Sequence, residues 1–309
     1  MLRQVIQTLP PPLLELPLSL LSRLFLCDPV RSVSHLREAD AGFFSSPQDC
    51  QTSAATHQTP LSRTASSLLS DLLQLDVLWD SAVELLTLLY QVARCCPQPH
   101  VEASVLRQAL THPYDQIRAA ACRLLGNLVP FRLTDTLQPD LFKGTVDCLH
   151  DPCVPVRRMA CRAVGNWLGY IAAVAEFPMS RSVGNGTDTT GWGKENKHVS
   201  SHIEAGGYWA TIIERKVDDE EQRRWTEEAL RSAAMLACLL DDPDALIRRH
   251  CCAALGNLVK VDGAVSLLLE EDVSSLLLRA ACTDSHNAVR QAAIATLRLY
   301  SQQEEIHKV

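Results

Sequence analysis

Three asparagines, Asn127, Asn166 and Asn257, each follow a glycine in the same register of a recurring phrase. A carboxamide both donates and accepts, so a row of such groups can hold the backbone of an extended peptide. Four residues earlier stand Arg123 and Arg162, with Ala253 in the third phrase. A guanidinium presents a planar fork of donors suited to carboxylate or phosphate, so these two arginines favour an acidic or phosphorylated segment. A plainer reading comes first: Gly-Asn can end a helix and cap its last turn. A second set, Arg118, Arg157, Arg248 and Arg290, stands six residues after an Asp or His in each phrase. These arginines serve either a ligand or the fold, and Arg158 and Arg249, which follow two of them, are expected to face solvent.

Other chemistry finds no footing. Gly184-Asn185-Gly186 and Gly191-Trp192-Gly193-Lys194 are glycine-rich, but they form no G-x-x-x-x-G-K-[ST] phosphate loop and follow no strand pattern. The loop, strand lysine, catalytic aspartate and metal-holding D-F-G of a protein kinase do not occur in this chain. Asn185-Gly186-Thr187 matches a glycosylation acceptor and is read as chance. No C-x-x-C pair has a matching partner, and His198 and His202 lie four apart without further ligands, so no metal and no cofactor are expected. Cys122, Cys161 and Cys252 share one position of the phrase with Ile294, which marks a core slot filled by reduced thiols.

The elements that must position these side chains follow from the phrases themselves. His112 to Leu128, Asp151 to Trp167, Asp242 to Leu258 and Asp284 to Tyr300 are four copies of one pattern, with starts 39, 91 and 42 residues apart. After each repeat arginine, apolar or small residues recur at helical spacing, as in Ala121, Cys122, Leu125 and Leu128. Asp-Pro at 151–152 and 242–243 supplies a capping residue and a helix stop. A partner helix is expected upstream of each copy, over 101–110, 137–149, 226–240 and 265–282. A period near 40 built of helix pairs is the signature of HEAT and armadillo arrays. The fold class is therefore all-α, an armadillo/HEAT-type α-solenoid of stacked antiparallel helix pairs. Such arrays bind along extended surfaces. In HEAT arrays the repeat arginine commonly pairs with an aspartate of the neighbouring repeat. That resemblance offers Asp151, Asp242 and Asp284 to the Arg118, Arg157, Arg248 and Arg290 ladder.

Along the chain, residues 1–40 are expected to form a degenerate helix pair, Leu13 to Leu26 and Val30 to Ala39 around Asp28-Pro29. Residues 41–64, rich in Ser, Thr, Gln and Pro, are expected to be a disordered linker. Repeats fill 65–177 and 208–309, and 178–207, with six glycines, is a flexible insertion. The charge run from Asp218 to Arg224 is the solvated side of a helix. Net charge is −7, which argues against gripping nucleic acid through general basicity. No apolar run reaches the roughly 18 residues of a membrane span. A cytoplasmic protein is expected.

The asparagine row resembles the ladder of armadillo proteins such as the importins, departing from it where Arg123, Arg162 or Ala253 occupies the tryptophan position. The phrases IRRHCCAALGNL (247–258), VRRMACRAVGNWLGY (156–170) and AVRQAAIATLRLYSQQEEIHKV (288–309) are similar to the C-terminal armadillo/HEAT region of Fused-type serine/threonine kinases. The resemblance implies protein partners of the Hedgehog pathway and of the motile-cilium central apparatus, and a cilium-associated location. With the kinase motifs absent, it carries over no catalytic residue. The expected function is a non-catalytic protein-binding scaffold; the alternative is an independent cytosolic adaptor with an importin-like peptide groove.

Overall fold

The computed structural model describes residues 8–27, 64–95, 99–129, 138–176 and 219–307. Expectations for 28–63, including the helix at 30–39 and most of the linker, and for the insertion at 178–207, lie outside the described residues. Among the described residues there is no strand. The helices are α1 Glu15–Cys27, α2 Ala65–Leu73, α3 Trp79–Cys95, α4 Ala103–Leu110, α5 Asp115–Leu125, α6 Gln138–Asp147 and α7 Val154–Glu176. After these come α8 Asp219–Arg231, α9 Ala233–Cys238, α10 Ala245–Leu258, α11 Ala264–Glu270, α12 Val273–Thr283 and α13 Asn287–His307.

Two layers result. The helices carrying the repeat phrase, α5, α7, α10 and α13, stack on one another in chain order, with α3 before them and α1 packed on α3. The partner helices α2, α4, α6, α8, α9, α11 and α12 lie along one side of that stack. Leucine and alanine at helical spacing fill the space between layers: Leu106, Ile117, Leu125, Val156, Leu168, Ile247 and Leu255 are all buried. Each helix pair alone would leave one apolar stripe in water, so burial is completed only by the next pair.

Local chemistry sets several boundaries. Thr64 opens α2 with a reciprocal cap: its Oγ1 accepts from the Ser67 N–H at 3.1 Å, and Ser67 Oγ accepts from the Thr64 N–H at 3.1 Å. The partner helices expected over 226–240 and 265–282 are each broken. Buried Ser232 separates α8 from α9, its Oγ donating to the Ala229 carbonyl at 2.6 Å. Asp272, at φ 50°, separates α11 from α12 in the left-handed region. The Asp-Pro cap assignment also needs correction. Asp244 caps α10, accepting from Leu246 and Ile247 N–H at 3.0 Å each, while Asp242 lies outside the helix.

The stack resumes across residues 177–218 through an aromatic cluster. Trp225 of α8 meets Trp167 of α7 edge-on, centroids 5.9 Å apart, and Phe142 of α6 stacks on Trp167 at the same separation. Both tryptophans are fully buried. Phe142, Trp167 and Trp225 therefore close the core where the period is longest.

Candidate functional site: the open face of the inner helix layer

Glycine determines how close the inner helices come. A Cβ at Gly126 would lie 3.1 Å from Ala163 Cα, at Gly165 3.3 Å from Ala254 Cα, and at Gly256 3.0 Å from Thr296 Oγ1. Backbones at that distance bring each asparagine onto the neighbouring helix. Asn166 Nδ2 donates to the Gly126 carbonyl at 2.6 Å, and Asn257 Nδ2 donates to the Gly165 carbonyl at 2.8 Å. Asn127 donates to the Arg123 carbonyl of its own helix at 3.0 Å. Of the three glycines, Gly126 is a C-cap, in ordinary right-handed geometry, and accepts its bond at the end of α5, where carbonyls lack helical partners. Gly165 and Gly256 lie inside α7 and α10. Thus Asn166 and Asn257 tie neighbouring repeats together.

The repeat arginines occupy the edge where loops enter the helices. Arg118 Nε and Nη2 donate to Asp151 at 2.7 and 3.0 Å, Arg157 to Asp242 at 2.9 and 3.5 Å, and Arg248 to Asp284 at 2.7 and 3.1 Å. In each, Nη1 also donates to two loop carbonyls, such as those of Asp242 and Pro243 for Arg248, at 2.8 and 3.1 Å. The carboxylates accept a backbone N–H two residues on: Cys153, Asp244 and His286. Each guanidinium nitrogen of Arg118, Arg157 and Arg248, and each oxygen of their carboxylates, therefore has a partner inside the fold. Arg290 keeps the carbonyl bond, to Asp284 at 2.7 Å, and meets Asn287 Oδ1 at 3.4 Å in place of a carboxylate. The Arg248 hydrogen bond holds the Asp284 carboxyl below its ordinary range. At Asp151 burial pushes upward, but the bonds from Arg118 and the Cys153 N–H outweigh it and the net shift is downward.

The open face carries a different set. Arg123 lies over the Tyr90 ring, 4.1 Å from its centroid, in a cation–π contact. Arg162 is exposed and has no hydrogen-bond or ion-pair partner among the described residues. Arg158, expected to face solvent, is instead half-buried and donates to Asp244 at 2.7 Å, because α10 starts beside it. Arg249 is half-buried. His250 sits among these groups: burial, then Arg249, Arg162 and Arg158, lower its pKa to about 4, leaving a neutral imidazole near pH 7. Sequence reasoning missed Tyr90, His250 and Asp244 in this neighbourhood; only the stacking register brings them to Arg123, Arg162 and Arg158.

Among the described residues no group of three or more metal-ligating side chains comes together. Cys122, Cys161, Cys251 and Cys252 are fully buried free thiols, and burial pushes Cys252 up to about 12. Ile294, which shares the repeat position of Cys122, Cys161 and Cys252, is half-buried.

Helix pairs, stacked inner helices and an open polar face define an all-α solenoid of the armadillo kind. A designed armadillo repeat protein superposes with a TM-score of 0.57, covering 97% of this chain and 98% of its own, at 14% identity. Another, solved with the peptide (KR)4, gives 0.58 over 97% and 98% at 14% identity. No family model matches the sequence. Serine/threonine-protein kinase 36 of Pongo abelii is 29% identical over 312 residues, 96% of this chain and 18% of that protein. The chain thus spans about a fifth of the length of this relative, within its non-kinase part, in accord with the Fused-type resemblance of the repeat phrases. No helix among the described residues is long and apolar enough to cross a membrane.

Proposed function

We propose that the chain is a non-catalytic protein-binding scaffold whose open face takes an extended acidic or phosphorylated segment. The observation that carries this reading is Arg162, exposed and unpartnered beside Arg158, Arg249 and His250 on a chain of net charge −7. An unpartnered guanidinium on an acidic protein selects for anions by position rather than by overall charge. Arg123 and Arg162 stand four residues before the asparagines, and two guanidinium groups there repel a cationic peptide. The Asn127, Asn166 and Asn257 row contributes acceptors, since two of its amide donors are spent on the preceding helix. The Fused-type resemblance supports a regulatory part of a longer serine/threonine kinase, with Hedgehog-pathway and ciliary central-apparatus partners and a cytoplasmic, cilium-associated location.

Fluorescence anisotropy with labelled (Glu-Ser)6 and (Lys-Arg)4 peptides tests the sign of the face. The acidic peptide should bind, and Arg162→Ala should weaken it about tenfold, as expected for losing a charge-assisted hydrogen bond, without moving the melting temperature. Preference for the cationic peptide would instead support the importin-like adaptor reading.

A further inference from the structure

The open face is not uniform. Between α3, α5 and α7 lies a hollow of about 230 Å³ whose walls include Val83, Tyr90, Ala119, Ala120, Arg123 and Met159. It exists because α5 places two alanines where α7 carries Arg158 and Met159 and α10 carries Arg249 and His250. The Tyr90 ring, almost wholly buried, lines the hollow, and the Arg123 guanidinium lies across that ring at its rim. The ring holds the Arg123 guanidinium at 4.1 Å, while no hydrogen bond among the described residues takes up its N–H groups. A guanidinium placed in this way, with its donors free, suits a carboxylate. Met159 is half-buried at the edge, and a thioether side chain adapts to occupants of different shape.

We infer that the bound segment is bipartite: one large apolar side chain seats in the hollow beside Tyr90, an acidic neighbour meets Arg123, and a second anionic group reaches Arg162 and Arg249. This rests on the reading that the open face takes an anionic segment and adds an anchor and a spacing to it. The hollow lies between α3 and α5 and the cationic cluster between α7 and α10, two helix spacings further on. Packed helices stand roughly 8–10 Å apart and an extended chain covers about 3.3 Å per residue, so anchor and distal anion are about five to six residues apart.

The test uses labelled 14-residue Gly-Ser peptides carrying Phe-Glu and, six residues from the Phe, a phosphoserine, in both chain directions. In anisotropy titrations of the full chain, one direction should bind, and Phe→Ala in that peptide should weaken binding at least tenfold. The variant Ala120→Leu, which fills the hollow, should lose the same factor against the Phe peptide and nothing against the Ala peptide. The Met159 methyl resonance of the unaltered chain should shift with the Phe peptide alone, a reading that does not depend on any variant folding. Equal binding of Phe and Ala peptides, with phosphoserine still required, would overturn the anchor and leave the anionic face standing. Indifference to phosphoserine and glutamate would overturn both.

Discussion

Arg157 and Arg162 lie on the same helix, little more than one turn apart, and their guanidinium groups meet opposite surroundings. Arg157 at the loop edge holds Asp242 and two carbonyls, with about 13% of its side chain exposed. Arg162 on the open face holds nothing among the described residues. The same contrast separates Arg118 from Arg123, apart from the Tyr90 ring beneath the latter. A guanidinium whose three nitrogens are all engaged inside the fold has little left for a ligand, whereas an unpaired neighbour costs little in water and is available to bind. The ion-pair edge thus maintains the stack, and the open face is left to recognition.

The sharpest way to break this division is to remove a carboxylate from the loop edge. Asp242→Ala leaves Arg157 enclosed without a counter-charge, and such losses cost about 3–5 kcal/mol. Urea unfolding should show a fall of about 3 kcal/mol. A change below about 0.5 kcal/mol would remove the structural role from the ion pairs.

A smaller loss is expected where the inner helices touch. Gly165→Val places a Cβ about 3.3 Å from Ala254 Cα and adds two methyl groups there. Overpacking of that kind costs about 1–3 kcal/mol, and the Asn257 to Gly165 bond should go with it. Thermal unfolding of Gly165→Val and Asn257→Ala, singly and together, would measure whether the two share one contact.

Acid probes the ion pairs without mutation. The Asp284 carboxyl titrates lower in the folded chain than in the unfolded one, through its bond to Arg248. Its contribution is therefore complete above the ordinary carboxylate pKa of about 3.9 and is lost as pH falls through the folded value. Stability should decline below about pH 4, and Asp284→Asn should flatten that slope in chemical unfolding followed from pH 5 to 2. Asp244 behaves alike, through Arg158.

The smallest effects belong to exposed charges. Arg162→Ala should change stability by less than about 0.5 kcal/mol. Arg279→Ala, which breaks an exposed pair in which Arg279 Nη2 meets both Asp241 oxygens at 2.6 Å, should cost no more than about 1 kcal/mol. A large loss from Arg162→Ala would mean that the face also supports the stack.

Much of this was legible in the residues alone. The repeat phrase encodes the stacked helices, because apolar spacing and a shared arginine position are local properties of the chain. The destinations of side chains were not. That Asn166 spends its donor on Gly126, or that Arg158 finds Asp244, depends on which turn of one helix faces which turn of the next, across 40 and 86 residues of sequence. The hollow over Tyr90 was hidden for a related reason: Ala119 and Ala120 read as ordinary helix formers until α3 and α7 flank them. The breaks at Ser232 and Asp272 carry no proline, so periodicity ran straight through both.

The ion pairs have one more property, visible in their sequence separations. Arg118 finds its aspartate 33 residues on, Arg248 finds its own 36 residues on, and Arg157 reaches Asp242 across 85, with similar bond lengths in each. The clasp between neighbouring units is thus indifferent to how much chain was added between its two halves. A gene encoding such units can accept new sequence between an arginine and its aspartate without dissolving the join. Heritable length variation should therefore concentrate in those intervals and spare the short span from each aspartate to the arginine six residues later.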